Sequence, residues 1–521
     1  MCSLQESLPP PALGIVTVAE QNGDLIARPE DEATTLIGNS LQGINLPIIE
    51  ASTDTLASLA IEESAQSAFL PNKGDIPLWK RAWYSCNENG VSGMLEEMAE
   101  ERSDVPWLVS SMAYGCLTAV RAASTLQGSI YPHMTLSRPE LISEYSVVRD
   151  WAESEIRAFA WHPHTNKCAV AWQNDSIKVF TADSDIVPTL KHRYQHGVSC
   201  LAWKPFSAGI LAVGCQSCVL VWHLDPASQS TRPSAGSAQV LSHHTNCPIT
   251  TLAWDPRGRL LTSASPWDTV MMVWNVPRET SYAVGRGGGG GVSLLRWSPD
   301  KSRLLAATPS AVFRVWETHS WTCEKWTQLS GRLQAACWSP DSQILLFCSA
   351  KEPAIYSLNF NETKVGGATT GGAQAAVKCA DLSEVVYEDG DLEGVRIGGL
   401  IQDMAWDPTG ERLAVLFQKT LEEDHADDVI ALFNTRLQPV LELIPCGFIR
   451  CEPDEEPQLI SFLPKFDKGA LLTICFKSGK VKFLPLIFTS AWSLSENRRP
   501  PFQALNGSSH HRNLELFSVN D

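Results

Sequence analysis

Three observations in the sequence predict an all-β fold made of repeated units. First, the stretch 250–275 holds three apolar runs with period-two alternation. They are cut by the turns Asp255-Pro256-Arg257-Gly258 and Ser265-Pro266-Trp267-Asp268, which reads as three antiparallel strands. Second, a Trp-x-Pro triplet recurs at Trp161, Trp203, Trp254, Trp297, Trp338 and Trp406, with a degenerate copy at Phe462-Leu463-Pro464. Third, an apolar strand ending in an aromatic follows each copy, at Phe180, Trp222, Trp274, Trp316, Tyr356, Phe433 and Phe483. The gap from Trp to aromatic stays between 18 and 20 residues in the first five units. One unit cannot bury both its faces, and a period near ~40–45 residues with strand-only content is the signature of a propeller blade. The sequence therefore predicts a seven-bladed WD40-type β-propeller over residues 151–490, with an N-terminal α-helical section at 51–150 and a flexible C-terminal tail at 491–521.

Residues 1–50 open with Pro9-Pro10-Pro11 and a mixed polar run, the composition of a loosely ordered start. A propeller must close its ring, and the last blade can borrow a strand from the chain before the first. The run 44–49 is the candidate closing strand, with the segment around Ile156 as the alternative. In 51–150 the apolar period becomes helical. Residues 55–69 and 92–101 fit helices. The run 107–126 fits better, with Trp107, Leu108, Met112, Cys116, Ala119, Val120 and Ala123 on one stripe. That stripe is expected to pack on the rest of the protein, with a partner-facing groove as the alternative. Pro106 suits its first turn. Ser137 with Glu140 three residues on forms a capping box opening a helix to about Trp151.

The later triplets are spaced more widely by insertions. Residues 361–375, with two glycine pairs, read as a loop; 384–393 is acidic; 421–428 lengthens a turn in blade six. A glycine run at 287–291 precedes blade four.

Blades of this kind are tied by a buried network of a His, a Ser or Thr, an Asp and a Trp, stabilising only when every member has a partner. Blade three can supply all four: His243, Ser263 or Ser265, Asp268 and Trp274. Blade two keeps His192 and Trp222 without the Asp. Cys215-x-x-Cys218 is a lone CxxC in an expected strand turn, more plausibly packing than redox or metal chemistry. His162, His164, His243 and His244 read as surface or network residues. Lys477-Ser478-Gly479-Lys480 lacks the spacing of a phosphate loop, and no nucleophile is paired with a base. No catalytic, cofactor or metal residues are assigned.

The formal charge of −17 argues against broad contact with nucleic-acid phosphates or anionic lipid. Fifteen cysteines, several in apolar strands, suit free thiols in a reducing compartment. The N-terminus lacks a basic region followed by an apolar one, so no signal peptide is expected. The run 105–120 is shorter than the ~20 apolar residues of a spanning helix. Any membrane association is expected to be indirect.

Longer runs carry a resemblance. Residues 159–167 (FAWHPHTNK), 212–218 (AVGCQSC), 308–317 (TPSAVFRVWE) and 406–416 (WDPTGERLAVL), with the opening Met1-Cys2-Ser3-Leu4 and Ile44-Asn45-Leu46-Pro47, resemble the aladin family of WD-repeat nucleoporins. The resemblance extends from the start of the chain to about Pro485. It implies a non-catalytic scaffold of the nuclear pore complex at the nuclear envelope, tethered by a transmembrane nucleoporin. Other pore subunits are its expected partners, and selective nuclear protein import its expected process. It further implies a role at the mitotic spindle and a cytoplasmic fraction. The alternative from the repeats alone is a WD-repeat substrate receptor of a ubiquitin ligase or another soluble complex.

Overall fold

The computed structural model describes residues 2–29, 77–99 and 106–488 apart from short breaks, the longest at 361–374 and 420–427, with a few residues between 32 and 49. The expected helix at 55–69, the loop at 361–375, most of the insert at 421–428 and the tail at 491–521 lie outside the described residues.

Seven sheets form the propeller. Their first strands are Ile156–Trp161, Cys200–Trp203, Thr251–Trp254, Leu294–Trp297, Leu333–Trp338, Ile401–Trp406 and Pro457–Phe462. Each touches the next, and the last touches the first, so they line a central channel. Every one ends on the aromatic of a triplet, because the proline that follows removes a donor and turns the chain. The triplets thus ring one end of the channel.

Seven hydrophobic clusters fill the seven seams, each drawn mainly from two neighbouring blades. Trp222, fully buried, packs towards blade one, and Trp274 and Trp316 likewise face their preceding blades. Phe483 breaks the pattern, lying against Trp161 of blade one with ring centroids 5.8 Å apart. Leu484 takes the position facing blade six.

The ring closes elsewhere than the sequence suggested. Strand β1 (Cys2–Ser3) adds parallel to the outer strand of blade five. Strand β2 (Ile15–Gln21) adds parallel to Val481–Ile487, the third strand of blade seven, and β3 (Asp24–Pro29) pairs antiparallel to β2. Closure therefore falls to Ile15–Gln21, not to the run 44–49 or to the segment around Ile156, which opens blade one. Residues 44, 45 and 48 lie outside the described set; Leu46 and Ile49 pack in the seam between blades seven and one. Residues 2–29 are a structural part of the propeller, with Leu4 and Val16 fully buried, where composition argued for a loose start. The acidic stretch 384–393 falls in a hairpin of Val385–Asp389 and Leu392–Ile397, whose Tyr387 hydroxyl donates to Leu4 O at 2.7 Å.

Among the described residues three α-helices of eight residues or more precede blade one: α1 (Leu78–Ala99), α2 (Trp107–Ile130) and α3 (Arg138–Tyr145). Helix α1 packs on α2. The capping box forms, Ser137 N donating to Glu140 Oε2 at 2.7 Å. Helix α3 stops at Tyr145, short of the expected Trp151. Ser146 is extended, and the β-branched Val147 and Val148 that follow favour extended backbone over helix. The freed chain then buries Val148 and Trp151 with Ile142. The stripe expected to be packed is not. Trp107, Leu108 and Met112 are 75%, 57% and 72% exposed, whereas Ala113 and Leu117 are buried.

Candidate functional site

The two ends of the channel differ. At the end where the inner strands begin, residues 131–153 lie across the propeller. His133 is buried between the edges of Tyr131 and Tyr145 and donates from Nε2 to Gly290 O before blade four. Burial holds its pKa below the usual histidine range against those carbonyl contacts. Arg332, entering blade five, donates to Glu144 Oε1 at 2.9 Å and Glu144 O at 3.1 Å. Gln402 of blade six donates to Val147 O at 3.1 Å and across the seam to Gln458 O at 3.0 Å. Lys477 of blade seven reaches Asp150 at 3.1 Å, and Trp151 Nε1 donates to Val198 O before blade two at 3.1 Å. A single segment thus ties five blades over one mouth of the channel.

At the other end the triplet tryptophans staple blades together. Trp203 Nε1 donates to Ala160 O, Trp254 to Ala202 O and Trp338 to Arg296 O, each at 3.1 Å and each in the preceding inner strand. Trp297 donates to Thr262 Oγ1 of blade three at 3.1 Å. Trp161 bridges the closing seam to Thr473 Oγ1 of blade seven at 2.9 Å. Trp406 instead bonds within its own blade, to Thr435 Oγ1 at 3.0 Å. A buried indole N–H needs a partner, and an acceptor one blade back turns that requirement into ring cohesion. The recurring triplet locates these residues in the sequence, but not the bonds they make across the seams. The channel wall near this mouth holds Arg296, Cys337 and Asp403 around a cavity of about 380 Å³. Burial pushes the Asp403 carboxyl up to about 6, while Arg296 and the Met404 amide oppose it.

The five residues proposed for the blade-three network are placed as follows. Trp274 Nε1 donates to Ser263 Oγ at 2.8 Å, and both are buried. Ser265 Oγ accepts from Trp267 N at 3.2 Å within its turn. Asp268 Oδ1 accepts from Val270 N at 3.1 Å, and His243 O accepts from Asn246 N at 3.2 Å. Asn246, buried beside Ser263 with Nδ2 at 3.5 Å from its hydroxyl, was missed by sequence reasoning. In blade two the Trp222 indole donates to Gln195 Oε1 at 3.3 Å, and Gln195 Nε2 donates to Asp175 O and Leu190 O. His192 meets Trp222 only ring to edge. A side-chain amide both accepts and donates, which lets Gln195 link the indole to the backbone.

His162 organises a turn. Its Nδ1 accepts from the backbone N–H groups of His164 and Thr165, and Nε2 donates to Ser207 O of blade two at 2.8 Å. Burial lowers its pKa. Cys215 and Cys218 are buried free thiols flanking a two-residue turn, with Cys215 N donating to Cys218 O at 3.0 Å. Among the described residues, no group of three or more His, Cys, Asp or Glu is arranged to hold a metal ion. No described helix is long and apolar enough to cross a membrane.

A family model described as the aladin seven-bladed propeller matches residues 137–487. Aladin of Arabidopsis thaliana is 31% identical over 363 residues, covering 65% of this chain and 77% of that protein. Among solved structures, a chain of the mitotic checkpoint complex has a TM-score of 0.47 at 18% identity, over 64% of this chain and 87% of that one. The β-propeller domain of Myceliophteria thermophila Cps50 (Swd1) has a TM-score of 0.47 at 12% identity, over 63% and 96%. Structural likeness at that level carries no argument about function.

Proposed function

The chain belongs to the aladin seven-bladed propeller family, a family of nucleoporin-like scaffolds, and from that premise we propose that it is a non-catalytic adaptor of the nuclear pore complex. It is held at the nuclear envelope by a transmembrane nucleoporin and supports selective nuclear protein import. Its membrane association passes through that partner, and it makes no direct contact with nucleic acid. A mitotic spindle role and a cytoplasmic fraction belong to the same reading. The observation that carries it is the family match across residues 137–487, which hold the three inner strands of all seven blades.

The geometry fits a scaffold. One mouth of the channel is covered by the chain's own residues 131–153. The strongest stereochemical features are seams, staples and a clasped N-terminus, which hold a rigid surface rather than move one.

The test is localisation with partner depletion. The tagged chain is expected at a nuclear rim that disperses when the transmembrane subunit is depleted, and affinity purification from nuclear envelopes is expected to recover pore subunits. A diffuse cytosolic protein that recovers ubiquitin-ligase subunits and no pore subunits would overturn the proposal.

A further inference from the structure

The loops that follow the triplets of blades one, two and three lock into one collar at the uncovered mouth. The first meets the second through His162, whose Nε2 donates to Ser207 O at 2.8 Å, and through Lys167, whose Nζ donates to Ala208 O at 3.1 Å. The His164 ring lies 4.6 Å from that of Phe206, centre to centre. The third loop sits so close to the second that a Cβ on Gly258 would lie 2.5 Å from Pro205 O and 3.3 Å from Lys204 Cγ. Phe206 is 75% exposed, with a φ of +55°. A bulky residue in left-handed backbone is an outlier, and such strain gathers at binding surfaces.

The collar is cationic. Residues 162–167, 204–209 and 255–260 hold Lys167, Lys204, Arg257 and Arg259 against one carboxylate, Asp255. That carboxylate is buried and accepts from Arg259 N and Leu260 N, so it serves its own turn. Among the described residues none of the four cations forms an ion pair. Arg257 and Arg259 are exposed. The Lys167 and Lys204 ammonium groups stand over the indoles of Trp203 and Trp254, one blade on, with Nζ 6.0 and 5.6 Å from the ring centres. The matching loops of blades four to six, 298–303, 339–344 and 407–412, hold four carboxylates and three cations, one of them the buried Arg412. One half of the mouth is therefore positive in a chain of net charge −17.

We propose that this collar docks a short acidic segment of a partner protein. Its carboxylates meet Lys167, Lys204, Arg257 and Arg259, and an apolar side chain of the segment covers Phe206. Charge complementarity selects the occupant, because unpaired cations around an exposed ring attract carboxylates and reject basic segments. The field of the arc reaches about 8 Å at physiological ionic strength, so it acts on a ligand in contact and not on the whole of a long one. The outer loops of the same face bond to the collar, Ala182 N donating to Asn166 O and Leu224 N to Gly209 O, and they carry the exposed Asp185 and Asp225. A nucleic acid or an anionic bilayer would extend past the arc onto those carboxylates and a chain that is acidic overall. A short peptide would not. This docking goes beyond the pore reading and does not depend on it.

The test is selection of phage-displayed random dodecapeptides on the full chain, which needs no variant and no known partner. Asp and Glu are expected to be enriched, with an aromatic or aliphatic residue among them. A selected peptide, synthesised with a fluorescein label, is expected to bind with an affinity that falls steeply as salt is raised. The double variant Arg257→Glu, Arg259→Glu is expected to weaken that binding about tenfold. Its circular dichroism and melting temperature should be unchanged, because both side chains are exposed. Phe206→Ala is expected to weaken binding about threefold with the salt dependence retained. A selection without enrichment of acidic residues overturns the proposal. So do acidic peptides indifferent to the double variant or to Phe206→Ala. Binding of a uridylate dodecamer or of phosphatidylcholine–phosphatidylserine vesicles more tightly than the selected peptides, lost in the double variant, would assign the collar to phosphate and equally overturn it.

Discussion

Glu20 and Arg412 form a clasp at the ring closure. Arg412 Nη2 lies 2.6 Å from Glu20 Oε1, and Arg412 Nε lies 2.9 and 3.0 Å from the two carboxylate oxygens. The side chains are 3% and 0% exposed, and the guanidinium sits 4.2 Å from the centre of the Phe488 ring. Glu20 belongs to the closing strand β2, and Arg412 opens a strand of blade six. Glu20→Ala removes one partner and leaves a buried cation, which costs about 3–5 kcal/mol. Replacing both by methionine removes the charges together and is expected to be far milder, within about 1–2 kcal/mol.

Global denaturation of a repeat protein need not be two-state, so the primary assay is native-state hydrogen exchange. If the clasp holds β2, Glu20→Ala accelerates exchange of the β2 and β3 amides by about two to four orders of magnitude, with smaller changes in blades two to four. The double variant should restore most of the protection. Unchanged exchange in β2, or a double variant as labile as the single one, would refute the argument that the buried pair secures the closure.

Ser263→Ala leaves the Trp274 indole N–H without its hydroxyl partner and should lower stability by about 1–3 kcal/mol, read as a shift in denaturant midpoint; Ser265→Ala, which removes only a turn contact, should cost less. Trp161→Phe deletes the bond to Thr473 across the closing seam and should cost a similar ~1–3 kcal/mol, with exchange rising in blades one and seven. Asp403, pushed from 3.8 to about 6 by burial, binds its proton more tightly folded than unfolded, so stability falls as pH rises from about 4 to about 6. Asp403→Asn should therefore gain up to about 3 kcal/mol at pH 7–8 and nothing below pH 4, which denaturation across pH would check.

The blades were legible because their signals are local. A Trp-x-Pro ends each inner strand and an aromatic closes the third, so period and spacing sufficed. The closure was not. The run 15–20 (IVTVAE) has the β-branched alternation of a strand, but pairing it with residues 481–487 is a contact across almost the whole chain, which no local pattern signals. Arg412 carries no sign of its partner either, since a buried ion pair is a property of two distant positions. Of the blade-three residues, Trp274 and Ser263 meet directly, while Asn246 intervenes because a short amide can reach the serine from the preceding turn. For α2, periodicity revealed an apolar stripe, but it cannot tell which of two apolar faces the chain itself covers.

The covered mouth bears on how such a scaffold is engaged. Gln402 spans from Val147 O to Gln458 O, so the segment is bonded to the inner strands themselves, and its own Leu141 and Ile142 are fully buried. Displacing it would break the Arg332, Gln402, Trp151 and Lys477 contacts together, re-expose apolar side chains and leave the Gln402 amide with one acceptor, Gln458 O, in place of two. A partner gains nothing by paying for that when other surfaces are open. Under the scaffold reading proposed above, recognition is expected at the triplet mouth and the blade edges rather than at the covered mouth. Because residues 131–153 follow α2 directly in the chain, the same segment that seals the channel also anchors the end of the α1–α2 hairpin from which its apolar face is presented.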